Sequence, residues 1–230
     1  MLSPDEWQVL ALSVRVALVS VICSLPVAVL IALVLARLEF PGKTLLDALV
    51  HLPLVLPPVV VGFALLVLFG KRGPVGSLLD AWFGFTFTFR WTGAALASAL
   101  MGFPLMVRAI RLSIEAVDRR LETAARTLGG SPVFVFASVT LPLALPGIVT
   151  GTLLSFARGL GEFGATIMFA GSLQGVTQTL PLAVYQAFAI NFDTALAIGA
   201  LLVVLSAALL ISLKWLPSLS TSRFRFAASS

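Results

Sequence analysis

Five apolar stretches decide most of what this chain can fold into. They cover roughly residues 12–35, 52–69, 92–107, 143–169 and 194–213, each long enough to cross a bilayer as a helix. In hydrocarbon every backbone N–H and C=O has to be paired within the segment or with a closed sheet, so single greasy runs become helices. Of the 230 residues, 59% are hydrophobic and 11% charged, which excludes an ordinary soluble domain. The expected fold class is therefore an all-α membrane protein with about five transmembrane helices, forming one membrane domain over residues 1–230. The run Leu180–Ile190 is apolar but too short to cross, and reads as an interfacial or re-entrant helix. Asp5 and Glu6 stand where a signal peptide would carry positive charge, so the first run is expected to be kept as a helix. Cys23 is the only cysteine, which excludes an intrachain disulfide and a thiol metal site; no metal site is expected.

Charge predicts the orientation. Arg37 and Lys43 follow the first run, Arg108, Arg111, Arg119, Arg120 and Arg126 the third, and Lys214, Arg223 and Arg225 the fifth, ten basic residues on one side. The other side holds Lys71, Arg72 and Arg90. By the positive-inside rule the N-terminus lies outside and the C-terminus in the cytoplasm. This topology accounts for the net charge of +5, and no basic-aromatic interleave accompanies it, so nucleic acid is not an expected partner; membrane lipid is.

Prolines punctuate the runs. Pro26 predicts a kink in the first, Pro53, Pro57 and Pro58 distort the second, and Gly102-Phe-Pro104 breaks the third. Such tandem distortions suit a moving pathway and occur also in static bundles. Gly42-Lys43-Thr44 matches the end of a phosphate-binding loop, but Arg37 stands where that pattern needs glycine, so ATP is not expected to bind here. Arg15 is read as snorkelling to the headgroups, and His51 as interfacial rather than catalytic.

Residues 115–129 form a polar island between apolar runs, with Arg119, Arg120 and Arg126 against Glu115, Asp118 and Glu122. Leu121, Ala125 and Leu128 recur at helical spacing and predict a short amphipathic helix in a loop of about residues 111–140. Such a helix on the basic side suits docking into a soluble partner's groove; a solvated loop helix is the plainer alternative.

In the fourth run Thr152, Ser155, Gly159, Glu162 and Thr166 alternate at three and four residues, which predicts one small, polar helix face. Arg158 and Glu162, four apart, are a candidate intramembrane ion pair, because each alone costs about 2.5–3.5 kcal/mol at a helix centre. Two readings stay open. The stripe is a close-packing surface with the pair as a structural lock, or it borders a substrate pathway in which Arg158 supplies positive potential for an anion.

Ala124, Ala125 and Gly129, then nine residues, then Val139-Thr-Leu-Pro142 resemble the signature of ABC importer permeases, Glu-Ala-Ala-x-x-x-Gly with Ile-x-Leu-Pro after nine residues. Val139 stands for the Ile; Thr123 occupies the Glu position, with Glu122 one residue early. The run Phe156-Ala-Arg-Gly-Leu-Gly-Glu-Phe-Gly-Ala-Thr-Ile-Met-Phe-Ala-Gly171, the run Thr177-Gln-Thr-Leu-Pro181 and the proline-rich start of the second span are similar to the molybdate importer permeases. Sulfate and thiosulfate permeases share the Leu160–Ala165 core, and remain the alternative.

The resemblance implies a coupling helix between the third and fourth spans, made by Glu122, Thr123, Ala124, Ala125, Arg126 and Gly129 and meeting an ATPase subunit. The small residues would let it sit deep and turn sharply, with Arg126 and Glu122 as polar contacts. It further implies a multi-pass subunit of the bacterial inner membrane, working as a homodimer with two ATP-binding cassette subunits and a periplasmic or extracellular oxyanion-binding protein. Molybdate, and with it tungstate, would enter the cytoplasm by alternating access. This chain would bind no cofactor, ATP and magnesium sitting on the partner subunit, and would not itself be an enzyme. From the residues alone, an intramembrane enzyme lacks parts, since the chain has one His, at a boundary, and one intramembrane carboxylate beside an Arg. A standalone channel would not need the coupling helix.

Overall fold

The computed structural model describes the backbone of residues 4–227 and the side chains of residues 6–209 and 211. The side chains of Lys214, Arg223 and Arg225, counted above for orientation, lie outside the described residues. Among the described residues every regular element is helical: α1 (Pro4–Arg37), α2 (Lys43–Val55), α3 (Pro58–Phe69), α4 (Pro74–Phe83), α5 (Trp91–Glu115), α6 (Arg119–Thr127), α7 (Pro132–Val135), a π-helical turn (Phe136–Thr140), α8 (Leu141–Leu160), α9 (Gly164–Phe169), α10 (Leu180–Ile190) and α11 (Phe192–Ala227). Four helical stretches are long and apolar enough to cross a membrane, and α2 with α3 makes a fifth if that bent pair is one span.

Prolines set the two departures from the expected spans. Residues 52–69 are not one kinked helix: α2 and α3 meet at 115°. A residue before proline is pushed to extended backbone. Leu56 and Pro57 each precede one, and both are extended (ψ 141° and 132°), so the helix stops at Val55 and restarts on Pro58. The fourth run begins and ends earlier than expected, as a continuous helical stretch Pro132–Leu160. Pro142 cannot donate to the Ser138 carbonyl, and just before it the ladder widens, with the Leu141 N–H bonded to the Phe136 carbonyl five residues back.

Helix α5 is the axis of the bundle, packed between α1 and α8. Met106, Val107, Ile110 and Ile114 are buried against Ala28, Ala32 and Leu35 of α1 and Ala144 of α8. Small residues set the spacing of α5 and α8: a Cβ added to Gly102 would overlap the Ser155 hydroxyl oxygen. A second cluster joins Val61 and Leu65 of α3, Ala97 and Met101 of α5, and Ala165 and Phe169 of α9. In a third, Val9 of α1 meets Leu180 and Ala183 of α10 and Ile198 of α11. There the Ser13 hydroxyl donates to the Val9 carbonyl (2.8 Å) and accepts from the Leu180 N–H (2.7 Å), tying α1 to the start of α10. Leu18, Ile22, Leu30, Phe63, Val203 and Val204 are exposed, as lipid-facing side chains of a membrane bundle should be.

The Arg15 guanidinium, expected to snorkel, lies 4.0 Å from the centroid of the Trp91 ring at the start of α5. The opposite ends of α1 and α5 carry the basic residues, where Arg111 bonds Asp47 of α2 (2.9 Å) and Arg37 bonds Glu122 of α6 (2.8 Å). In the α1–α2 turn, Lys43 donates to Glu39 at 2.7 Å, and that bond, with the Lys43 charge, holds the Glu39 carboxyl below its ordinary range.

Candidate functional site

Helix α6 is built by its caps. The Asp118 carboxylate accepts the Arg120 N–H (2.9 Å) and starts it. At the other end the Gly130 N–H bonds the Ala125 carbonyl (3.1 Å) and the Gly129 N–H that of Arg126 (2.9 Å), a Schellman closure. That closure needs left-handed backbone, and Gly129 supplies it with φ 89°. The sharp turn expected of Gly129 is thus a matter of backbone sign, since no atom lies within 4 Å of where its Cβ would be. Glu115, the first residue of the island, belongs to the end of α5, where it pairs with Arg111 at 2.8 Å.

The amphipathicity of α6 is inverted relative to the bundle. Leu121, Thr123, Ala124 and Arg126 are exposed, Ala125 is half-buried, and Leu128, just past the helix, is 90% exposed. Val133 and Phe134 of α7 extend this outward apolar surface. Glu122 is instead buried, 8% exposed, so its expected role as an outward polar contact is corrected: its carboxylate turns inward. There Oε1 accepts from Arg37 Nη2 (2.8 Å) and from the Thr140 hydroxyl (2.8 Å). Thr123, at the motif's Glu position, faces out and donates to the Arg119 carbonyl (3.0 Å).

The fourth-run stripe does not lie on one helix face, because α8 ends at Leu160 and α9 begins at Gly164. Thr152 is half-buried, and Ser155 packs on Gly102. The Gly159 backbone approaches Ala17 and Ser20 of α1 and Ser98 of α5, each 3.6 Å from where its Cβ would be. Glu162 sits in the break between the two helices, 1% exposed, and Thr166 is equally buried on α9. The Arg158–Glu162 pair is formed, with Arg158 Nη1 2.6 Å from Glu162 Oε2. The other carboxylate oxygen accepts the Ala165 N–H at 2.8 Å, so one side chain both neutralises Arg158 and caps α9. His51 is half-buried beside Asp47, its Nδ1 donating to the Asp47 carbonyl (2.9 Å). Among the described residues no group of three or more His, Cys, Asp or Glu could hold a metal ion.

Residue reasoning missed Arg37 and Thr140. Arg37 counted only as a topological charge, and Thr140 only as a filler within Val-Thr-Leu-Pro. The remaining signal was an arginine ending an apolar helix, which names no partner.

Residues 24–225 match the family described as "Binding-protein-dependent transport system inner membrane component". The chain is 58% identical over 184 residues to the molybdenum transport system permease protein ModB of Escherichia coli (strain K12), covering 80% of each. It is 54% identical over 180 residues to the protein of the same name from Haemophilus influenzae, covering 78% of this chain and 79% of that one. The sulfate transport system permease protein CysT of Escherichia coli (strain K12) is 40% identical over 192 residues, covering 82% of this chain and 68% of that one. A solved bacterial alginate ABC transporter, in complex with an alginate pentasaccharide-bound periplasmic protein, superposes with a TM-score of 0.72 at 16% identity, covering 92% of this chain and 77% of that one. At that identity the likeness shows the fold alone. The matching family profile and the identity to the ModB proteins agree over most of the length, and the chain belongs to the binding-protein-dependent transport system inner membrane components, a transport component rather than an enzyme.

Proposed function

We propose that this chain is the permease subunit of an ATP-driven ABC importer that carries molybdate, and with it tungstate, across the bacterial inner membrane. The observation that carries the reading is the 58% identity with a molybdenum permease, against 40% with a sulfate permease. Two copies form the pathway, with the N-terminus outside and the C-terminus in the cytoplasm. Two ATP-binding cassette subunits sit beneath, and a periplasmic or extracellular binding protein delivers the oxyanion. ATP and magnesium reside on the cassette subunits.

Helix α6 is the coupling helix in this account. Its inverted amphipathicity supports that role: Leu121, Leu128, Val133 and Phe134 present apolar surface away from the bundle, ringed by Arg119, Arg120 and Arg126. An apolar surface exposed among the described residues is suited to a partner's groove. Closure of the two cassettes on ATP carries the paired α6 helices together and turns the pathway from cytoplasm-open to outward-open, a rigid-body alternation about the dimer axis. Expression of this chain with its cassette and binding protein in a cell lacking molybdate permease is expected to restore uptake. Restoration of sulfate but not molybdate uptake would replace the substrate and keep the architecture.

A further inference from the structure

Among the side chains of α6, Glu122 alone is buried, and it holds together elements far apart in the chain. One carboxylate oxygen accepts from Arg37, the last residue of α1, and from Thr140, the residue before α8. The same Arg37 nitrogen donates to the Val117 carbonyl (3.2 Å), in the turn that leads from α5 into α6. The ends of α1, α5 and α8 therefore converge on one buried carboxylate at the root of α6.

The covalent connections of α6 are poorly suited to carrying motion. On one side lies a three-residue turn, Ala116 to Asp118; on the other Gly129 and Gly130, of which the first is in left-handed backbone. Glycine links bend at little cost. The ionic tie is stiffer: charge-assisted bonds at 2.8 Å are short, and opening a buried pair strands a charge. It also ends on the π-helical turn, the locally widened stretch through which α8 is entered.

We infer that Glu122 is the positioning residue that passes a displacement of α6 to α1 and α8, through Arg37 and Thr140, so that the three helices move as one body. This rests on the reading that α6 meets the ATPase subunit, and names the residues by which the membrane bundle feels it.

The test uses the complete transporter in proteoliposomes, with spin labels at the exposed positions 38 and 127 in a Cys23→Ser background. In the native sequence the distance from the end of α1 to α6 should be the same without nucleotide and with bound ATP. In Glu122→Gln and Arg37→Gln it should change between the two states, and molybdate moved per ATP hydrolysed should fall about tenfold, within the range typical of coupling between sites. Thr140→Val, which keeps both charges, should show a smaller fall. The reversal Arg37→Glu with Glu122→Arg should restore both readouts toward the native values. A merely structural pair would lower the amount of assembled transporter without moving either the ratio or the distance. Assembled variants with native ratio and an unchanging distance would overturn the inference. If the single charge variants fail to assemble, an unchanged ratio in Thr140→Val overturns it. Failure of the underlying reading is seen separately, in the native protein: no retained ATPase subunit, or no molybdate uptake.

Discussion

Among the described residues, two ion pairs each close on a buried carboxylate, Glu122 or Glu162, and they differ in what they hold. The Arg158–Glu162 pair lies at the junction of α8 and α9 and also caps α9. Removing Arg158 leaves the Glu162 charge unneutralised in a protein interior, a cost of about 3–5 kcal/mol, whereas removing both together costs far less. Thermal melting of the purified subunit in detergent should therefore show Arg158→Met, which strands the buried Glu162 carboxylate, as strongly destabilised and Arg158→Met/Glu162→Met as closer to native; additive losses would contradict the pairing. That pair was legible in the sequence because four residues is one helical turn. The Arg37–Glu122 pair was not, because its partners are 85 residues apart and neither residue type names the other. Gly129 stands between these cases. Its place after a helix predicts a turn, and its φ of 89°, which costs a non-glycine residue about 1–2 kcal/mol, supplies the reason.

At the level of elements, proline positions announced where helices are disturbed but not how far. Pro57-Pro58 forces consecutive extended residues and a 115° turn, whereas Pro26 is accommodated inside the continuous α1, and Pro104, expected to break the third run, inside the continuous α5. The difference is tandem placement, since each proline also restricts the residue before it. The five runs were legible because hydropathy and length are local properties; the break at residues 161–163 was not, because the spacing of the stripe continues helically across it. Position decides which role Ser155 serves. It faces Gly102 across the α5–α8 contact, so Ser155→Leu should reduce the yield of folded, membrane-inserted protein, as a packing defect does. Normal yield with lost uptake would instead support the pathway reading. Just past α6, Leu128→Asp places a charge on a side chain that is 90% exposed. Copurification of the ATPase subunit should fall while insertion of this chain stays native, and unchanged copurification would remove Leu128 from the contact.

For the molecule as a whole, the fold and its direction of drive are separable from what it carries. The bundle around α5 packs its helices through small residues, and α6 and the residues just after it expose apolar side chains at the end where Arg37 and Arg111 gather. None of these features selects an oxyanion, and the substrate rests on similarity over 80% of the chain. That division follows from physics: helix packing and charge placement are answers to the bilayer, whereas choosing between tetrahedral dianions depends on a few donors whose arrangement residue spacing does not encode. The most direct test reconstitutes this chain with its ATPase subunits and measures ATP hydrolysis on adding the binding protein loaded with molybdate or with sulfate. Stimulation by the molybdate-loaded protein, with uptake of the anion and little response to the sulfate-loaded one, is the predicted result. Stimulation by sulfate alone, or ATP hydrolysis indifferent to both, would contradict the account.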